Sequence, residues 1–156
     1  MQVRPLSDEE RAWVDEFMTE EWGAPIVVSR GRVHRASELP GFVAVDEGER
    51  IGLLTYRIGE DDCEIVTIDS LREGVGVGSA LVEAVADAAR RAGCRRMWFI
   101  TTNDNLPMLR FSQKRGFSLV AVYPNALAES RKFKDISLVG LDGIPLRDEL
   151  ELERLL

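Results

Sequence analysis

The sequence predicts a mixed α+β fold in which one strand–helix–strand crossover follows two antiparallel hairpins. Residues 63–68, Cys-Glu-Ile-Val-Thr-Ile, are β-branched and apolar, as a buried strand requires. Residues 80–89 are rich in strong helix formers, and residues 96–101 form a second apolar run, Arg-Met-Trp-Phe-Ile-Thr. A strand, a crossover helix and a further strand make parallel neighbours. Residues 41–45 and 51–57 supply the strands of the hairpins. Asp46-Glu47-Gly48-Glu49 and Gly59-Glu60-Asp61-Asp62 turn them.

The elements follow in order from the N-terminus. Ser7 and Glu10 have the spacing of a capping box. Trp13, Val14, Phe17 and Met18 then mark one face of an amphipathic helix, which Gly23 stops. Residues 24–40 read as a mixed connection carrying Arg30, Arg32, His34 and Arg35. After the hairpins, the crossover helix runs to about Ala92, with Gly93 beyond its end and Arg90 and Arg91 complementing its dipole. Residues 102–106 turn into a helix starting near Pro107 and stopping at Gly116. Residues 117–123 read as a strand, 124–134 as a short helix and Asp142-Gly143 as a turn. Leu150 and Leu152 alternate with Glu149, Glu151 and Glu153, which predicts a last strand. Trp13, Phe17 and Trp98 fall at core positions.

A chain of 156 residues suits one domain, residues 1–156, with one buried core. No apolar run is long enough to span a membrane, and the N-terminus lacks the apolar stretch of a signal peptide. A net charge of −7 argues against nucleic acid and is compatible with a cationic or amine substrate. Cys63, Cys94 and the single histidine, His34, show no metal-ligand spacing, so no metal is expected. The two cysteines read as reduced core residues of a cytoplasmic protein.

Between the third strand and the crossover helix lies Glu73-Gly74-Val75-Gly76-Val77-Gly78-Ser79. Glycines let the backbone approach a ligand closely, and the helix behind them directs its amides and positive dipole end at that ligand. Such a loop is an anion cradle, most often for phosphate. A nucleotide-hydrolase loop would end in Gly-Lys-Ser/Thr, and no lysine is present. A dinucleotide fingerprint would need a third glycine where Ser79 or Leu81 stands.

The spacing resembles the pyrophosphate loop of the GCN5-related (GNAT) N-acetyltransferases, which ends in Gly-x-Gly after a strand and opens a helix. Residues 105–117, from Asn105 through Pro107 and Ser112 to Gly116-Phe117, resemble that family's second signature, an Asn opening a helix that closes on Gly-Phe. The resemblance covers roughly residues 1–123. It implies a mostly antiparallel sheet of six to seven strands, a central splayed parallel pair and helices on both faces. It further implies acetyl-CoA as co-substrate and direct attack by a primary amine in a ternary complex. Pantetheine would lie along Val66 to Ile68 and against Asn105, whose amide can also cap its helix. The pyrophosphate would rest on the N–H groups of Gly74, Val75, Gly76, Val77, Gly78 and Ser79. A homodimer is a further expectation from the resemblance.

Two departures bear on the chemistry. Glu73 stands where the family usually has Arg or Gln, and at about 6 Å and a dielectric near 20 a carboxylate opposes each phosphate charge by about 2–3 kcal/mol. Either Arg72 offsets this or Glu73 is a solvated turn residue, the preferred reading. Ser112 stands where a tyrosine commonly protonates the departing thiolate, and an alcohol is a much weaker acid. Glu64 resembles the catalytic glutamate of the histone acetyltransferase branch and is the candidate base, set against a solvent-facing strand residue. His34 is an alternative base that reads as a surface residue, and Asp69 and Asp104 read as turn residues. Arg110 and Lys114 share a helix face, facing CoA phosphates or solvent. Two functions follow: an N-acetyltransferase, or an acetyl-CoA-binding sensor or interaction module without the chemistry.

Overall fold

A computed structural model describes residues 1–156. In chain order its elements are β1 (Gln2–Pro5), α1 (Arg11–Trp22), β2 (Ile26–Ser29), β3 (Arg32–Arg35), β4 (Gly41–Asp46), β5 (Glu49–Ile58) and β6 (Asp62–Ser70). There follow α2 (Val77–Arg91), β7 (Arg96–Thr102), α3 (Leu106–Gln113), β8 (Ser118–Tyr123), α4 (Leu127–Ser130) and β9 (Glu149–Leu155). Seven strands form a mostly antiparallel sheet with one parallel pair, and β2 and β3 form a separate hairpin. The fold class expected from the sequence is the one found. No helix is long and apolar enough to cross a membrane.

The chain packs as two bodies. The first comprises residues 1–27, 35–97 and 155–156. Within it the strand order is β1-β4-β5-β6, each neighbouring pair antiparallel. Val14, Phe17 and Met18 of α1 join Val43 of β4 and Leu53 of β5 in one buried cluster. Gly52, the residue before Leu53, faces α2 instead: a Cβ there would lie 2.5 Å from Val77 Cγ1 and 3.1 Å from Leu81 Cδ1. Successive strand residues point to opposite faces, so α1 and α2 cover the two faces of this part of the sheet.

Three findings refine the sequence reading of residues 1–40. Residues 2–5 form an edge strand on β4, too short and too mixed to announce itself by alternation. The connection after α1 contains the β2–β3 hairpin, turned by left-handed Arg30 (φ 49°) and Gly31 (φ 75°). Residues 8–10 form a 3₁₀ turn before α1, which Gly23 (φ 80°) terminates as expected.

Glu10 in that turn is 3 % exposed and gathers bonds from three segments. Arg4 reaches it at 2.6 and 3.1 Å, Arg50 Nε at 2.7 Å, and the Ser7 N–H and hydroxyl at 3.1 and 3.0 Å. The Arg4 guanidinium, with help from Arg50 and Ser7, holds its carboxyl well below the usual range against the cost of burial.

The second body comprises residues 28–34 and 98–154, with strand order β7-β9-β8. Phe99 and Phe117 meet edge to face, ring centroids 5.2 Å apart. Buried Glu149 accepts from the Arg30 backbone N–H at 3.2 and 3.3 Å and from its guanidinium at 3.3 Å. The same guanidinium lies 3.5 Å over the Tyr123 ring. Arg131 donates to the carbonyls of Ile136, Ser137 and Leu146, which shapes the long β8–β9 connection.

Glu10→Gln should lower stability by about 1–3 kcal/mol near neutral pH, because it weakens charge-assisted bonds at a buried acceptor. The Glu10 pKa is depressed in the folded state, so its contribution is present above the ordinary carboxylate range and is lost as pH falls through the folded value. Urea unfolding of both proteins over a falling pH series should show the gap closing.

Candidate functional site

The glycine loop occupies residues 71–76 in the first body, between β6 and α2. Gly74 (φ 77°) and Gly76 (φ 82°) are left-handed, and a Cβ at either position would meet nothing within 4 Å. Backbone conformation, rather than lack of room, demands glycine here, and the space over the loop is open. Gly76 is the N-cap of α2, whose first helical bond in this turn runs from Ala80 N–H to Gly76 O at 3.0 Å. The amides of Val77 and Gly78 precede that bond and have no carbonyl one helical turn behind them. An open left-handed turn at a helix N-terminus suits a phosphate group.

Two structures hold the loop in place. Gly52 lets Val77 and Leu81 press directly onto β5, which fixes where the first turn of α2 sits. Arg72 donates to Asp46 at 2.6 Å and to Glu49 at 2.8 Å, tying the base of the loop to the β4–β5 turn. Arg72 is thereby committed to carboxylates of its own body and does not offset Glu73. Glu73 itself is exposed, in accord with a solvated turn residue.

Along β6 the sequence candidates differ in setting. Val66 and Ile68 are partly exposed, while Thr67 between them is buried and shares a 2.7 Å hydroxyl contact with Thr55. Glu64 is 3 % exposed and stands 3.5 Å from Arg57 Nη2 on the paired strand, so it is no solvent-facing strand residue. Its neighbours Cys63 and Ile65 are buried as well, and burial pushes the Cys63 thiol up to about 12.

Asp69, expected in a turn, belongs to β6 and is half-buried. Its carboxylate oxygens accept from Trp22 Nε1 at 3.1 and 3.2 Å. Burial pushes its carboxyl up to about 6; the Trp22 bond opposes this and Glu21 adds to it. Its signal in the sequence is faint, since only the fold brings the last residue of α1 to the end of β6.

Asn105 and Ser112 lie in the second body, on α3. Asn105 caps the helix, its side-chain oxygen accepting from Met108 N–H at 3.2 Å. Its amide nitrogen donates to no group of the chain, which leaves it able to take a ligand acceptor. Ser112 is fully buried, and its hydroxyl donates to Met108 O at 2.8 Å, one turn back in the same helix. A hydroxyl held this way gives its proton to its own helix. Asp104 is buried, accepting from Thr102 at 2.5 Å and from Leu141 N–H at 2.9 Å, a structural role.

The basic segment also changes meaning. Arg30 pairs with Glu149 and Arg35 with Asp15 at 3.0 Å, so two of its cations are engaged internally. His34, expected at the surface, is buried, while Arg32, Val33 and Arg35 on the same strand are exposed. Arg110 and Lys114 are both exposed.

A model of the acetyltransferase (GNAT) family matches residues 5–117. The chain is 41% identical over 152 residues to the uncharacterized protein YdhI of Bacillus subtilis, covering 96% of this chain and 95% of that protein. It is 38% identical over 154 residues to the uncharacterized protein YxbD of the same organism, covering 97% of each. An IAA acetyltransferase from Bacillus cereus has a TM-score of 0.71 at 18% identity, with 99% of both chains covered. A GNAT family acetyltransferase from Elizabethkingia anophelis with acetyl-CoA bound gives 0.70 at 18% identity, covering 99% of this chain and 97% of the other. A Bacillus subtilis acetyltransferase in complex with CoA also gives 0.70 at 18%, covering 99% of each. These structural likenesses establish the fold.

Gly52→Val should displace the first turn of α2 and cost about 1–3 kcal/mol, as overpacking of a tight contact does. Thermal unfolding checks this. The raised Asp69 pKa means that its stability contribution is complete at acid pH and lost as pH rises through about 6. Relative to Asp69→Asn, the native protein should therefore lose on the order of 1–3 kcal/mol between acid and neutral pH. Trp22 fluorescence should titrate with a midpoint near 6 and stay flat in Asp69→Asn.

Proposed function

The chain belongs to the GNAT acetyltransferase family, and we propose that it is an acetyl-CoA-dependent N-acetyltransferase acting on a primary amine. The observation that carries this reading is the loop at the start of α2. Its two left-handed glycines open an unobstructed turn beneath helix amides, the chemistry a pyrophosphate requires. The N–H groups of residues 74–79 hold the pyrophosphate, and the edge of β6 from Val66 to Ile68 pairs with pantetheine. The spare amide of Asn105 donates to pantetheine while its oxygen caps α3. Residues 1–156 act as one acyltransferase domain. The free, buried Cys63 and Cys94 suit a reducing, cytoplasmic setting.

In the reaction the neutral amine attacks the thioester carbonyl, whose oxygen the Ile68 N–H polarises. The C–S bond breaks, and the proton of the new ammonium passes through water to Glu64. Holding donor and acceptor in one ternary complex supplies much of the acceleration. With Ser112 bonded into its own helix, the departing thiolate takes its proton from solvent. A net charge of −7 favours a cationic acceptor.

That same Ser112 bond favours a second reading, an acetyl-CoA-binding sensor without turnover. A thermal-shift titration with acetyl-CoA, and NAD⁺ as control, tests the shared premise. Ligand at about 100 times its dissociation constant stabilises by about 2.7 kcal/mol, a rise of roughly 5–10 °C. No shift with acetyl-CoA removes both readings. Given a shift, CoA release is followed across a panel of amines. Turnover that Glu64→Gln lowers by about 10²–10⁴-fold supports the transferase. A shift with no turnover on any amine supports the sensor.

A further inference from the structure

Glu10, Asp15, Asp46 and Glu64 of the first body each stand against an arginine. Asp69 does not. Its two oxygens share one neutral donor, the Trp22 indole N–H, at 3.1 and 3.2 Å. A carboxylate has room for about four hydrogen bonds, so most of the accepting capacity of Asp69 is unspent. Its register partner is Leu53, whose side chain offers no donor, and Glu21 of α1 adds a like charge.

An irregularity in β6 puts Asp69 on the same face of the sheet as Glu64. Residues five apart in a regular strand point to opposite faces. Here Thr67 pairs with Thr55 and Ile65 with Tyr56, so Val66 is an extra residue, and the alternation reverses across it. Glu64, Thr67 and Asp69 thus stand opposite Arg57, Thr55 and Leu53, alternate residues of β5. Leu53 belongs to the cluster that α1 covers, so both carboxylates lie on the α1 side. Their partners Arg57 and Leu53 are four residues apart on β5, about 14 Å at the usual strand rise. The two groups are too distant to share one proton, and they serve one reaction only in separate steps.

An alkyl amine is an ammonium at neutral pH and has no lone pair with which to attack. Resting on the transferase reading, we propose that Asp69 is a second catalytic carboxylate, which takes a proton from the incoming ammonium and leaves the amine neutral. Asp69 follows Ile68, whose N–H polarises the thioester carbonyl on that reading, and consecutive Cα atoms are about 3.8 Å apart. The ammonium supplies the donors that the carboxylate lacks. One N–H bond breaks, its electron pair stays on nitrogen, and an O–H bond forms on Asp69. After attack a second proton leaves for Glu64 through water, and the nitrogen keeps one in the amide. Asp69 returns its proton to solvent beside Trp22, which is 38% exposed. Burial pushes the Asp69 carboxyl up to about 6. It is therefore mostly ionised at neutral pH, yet a stronger base than an ordinary carboxylate.

The test uses whichever amine of the panel the native protein turns over. If it turns over none, the transferase reading fails before any variant is made, and this step with it. Native kcat/KM should rise through a midpoint near 6 and then stay level up to the pKa of the amine. Asp69→Asn should keep the native thermal shift with acetyl-CoA and run about 10²–10⁴-fold slower at pH 7. Its kcat/KM should also gain about tenfold per pH unit, because only acceptor that is already neutral reacts. Trp22→Phe removes the bond that opposes burial, so its acid limb should move to higher pH, which a merely structural aspartate would not cause. Asp69→Asn with the native rate and plateau overturns the proposal and leaves the transferase reading standing. So does an acid limb that stays in place in Trp22→Phe.

Discussion

The close approach of α2 to β5 at Gly52 is the contact on which the rest of the first body depends. With no Cβ at that position, Val77 and Leu81 rest directly on the strand, and the helix start lands beside the end of β6. The left-handed Gly74 and Gly76 then carry the chain from strand to helix within a few residues. One missing methyl in a strand and two backbone conformations in a loop thus aim a helix dipole at open space. A side chain at Gly52 would shift the first turn of α2 and the glycine loop with it, since Val77 and Leu81 could no longer rest on β5.

Carboxylates, rather than cations, organise the polar interior. Glu10 collects Arg4 and Arg50, Asp46 and Glu49 collect Arg72, Glu149 collects Arg30, and Asp15 collects Arg35. Each arginine so engaged is withdrawn from the set that a bound anion could recruit. On the reading proposed above, phosphate binding consequently leans on the backbone amides at the start of α2, with the exposed Glu73 directed to water. Asp69 is the contrasting case: the Trp22 indole donates to it, and burial pushes its carboxyl up to about 6.

Much of the architecture was legible in the sequence because it rests on local rules. The β-branched run of β6, the glycines of the loop, Asn105 before α3 and Gly23 after α1 each act within a few residues, so spacing alone exposes them. What escaped notice depends on distance along the chain. Residues 2–5 become a strand only because β4 offers an edge. His34 turns inward, and Arg30 curls left-handed, because a hairpin forms in a segment whose composition suggested an exposed basic connection. Ser112 matched a family position in sequence, yet its hydroxyl bonds back to its own helix, a choice that burial makes by removing water as the alternative partner.

By itself, then, the sequence determined α1, the order of elements from β4 onward, the family signature and the glycine loop, since helix, strand and turn chemistry are encoded over short spans. The tertiary structure alone decided which charged groups are buried and paired. Glu10 and Arg50 are forty residues apart, and Trp22 and Asp69 forty-seven. It also decided that β8 closes the sheet with an uncharged edge, because a strand's place in a sheet is set by the partners it finds rather than by its own residues.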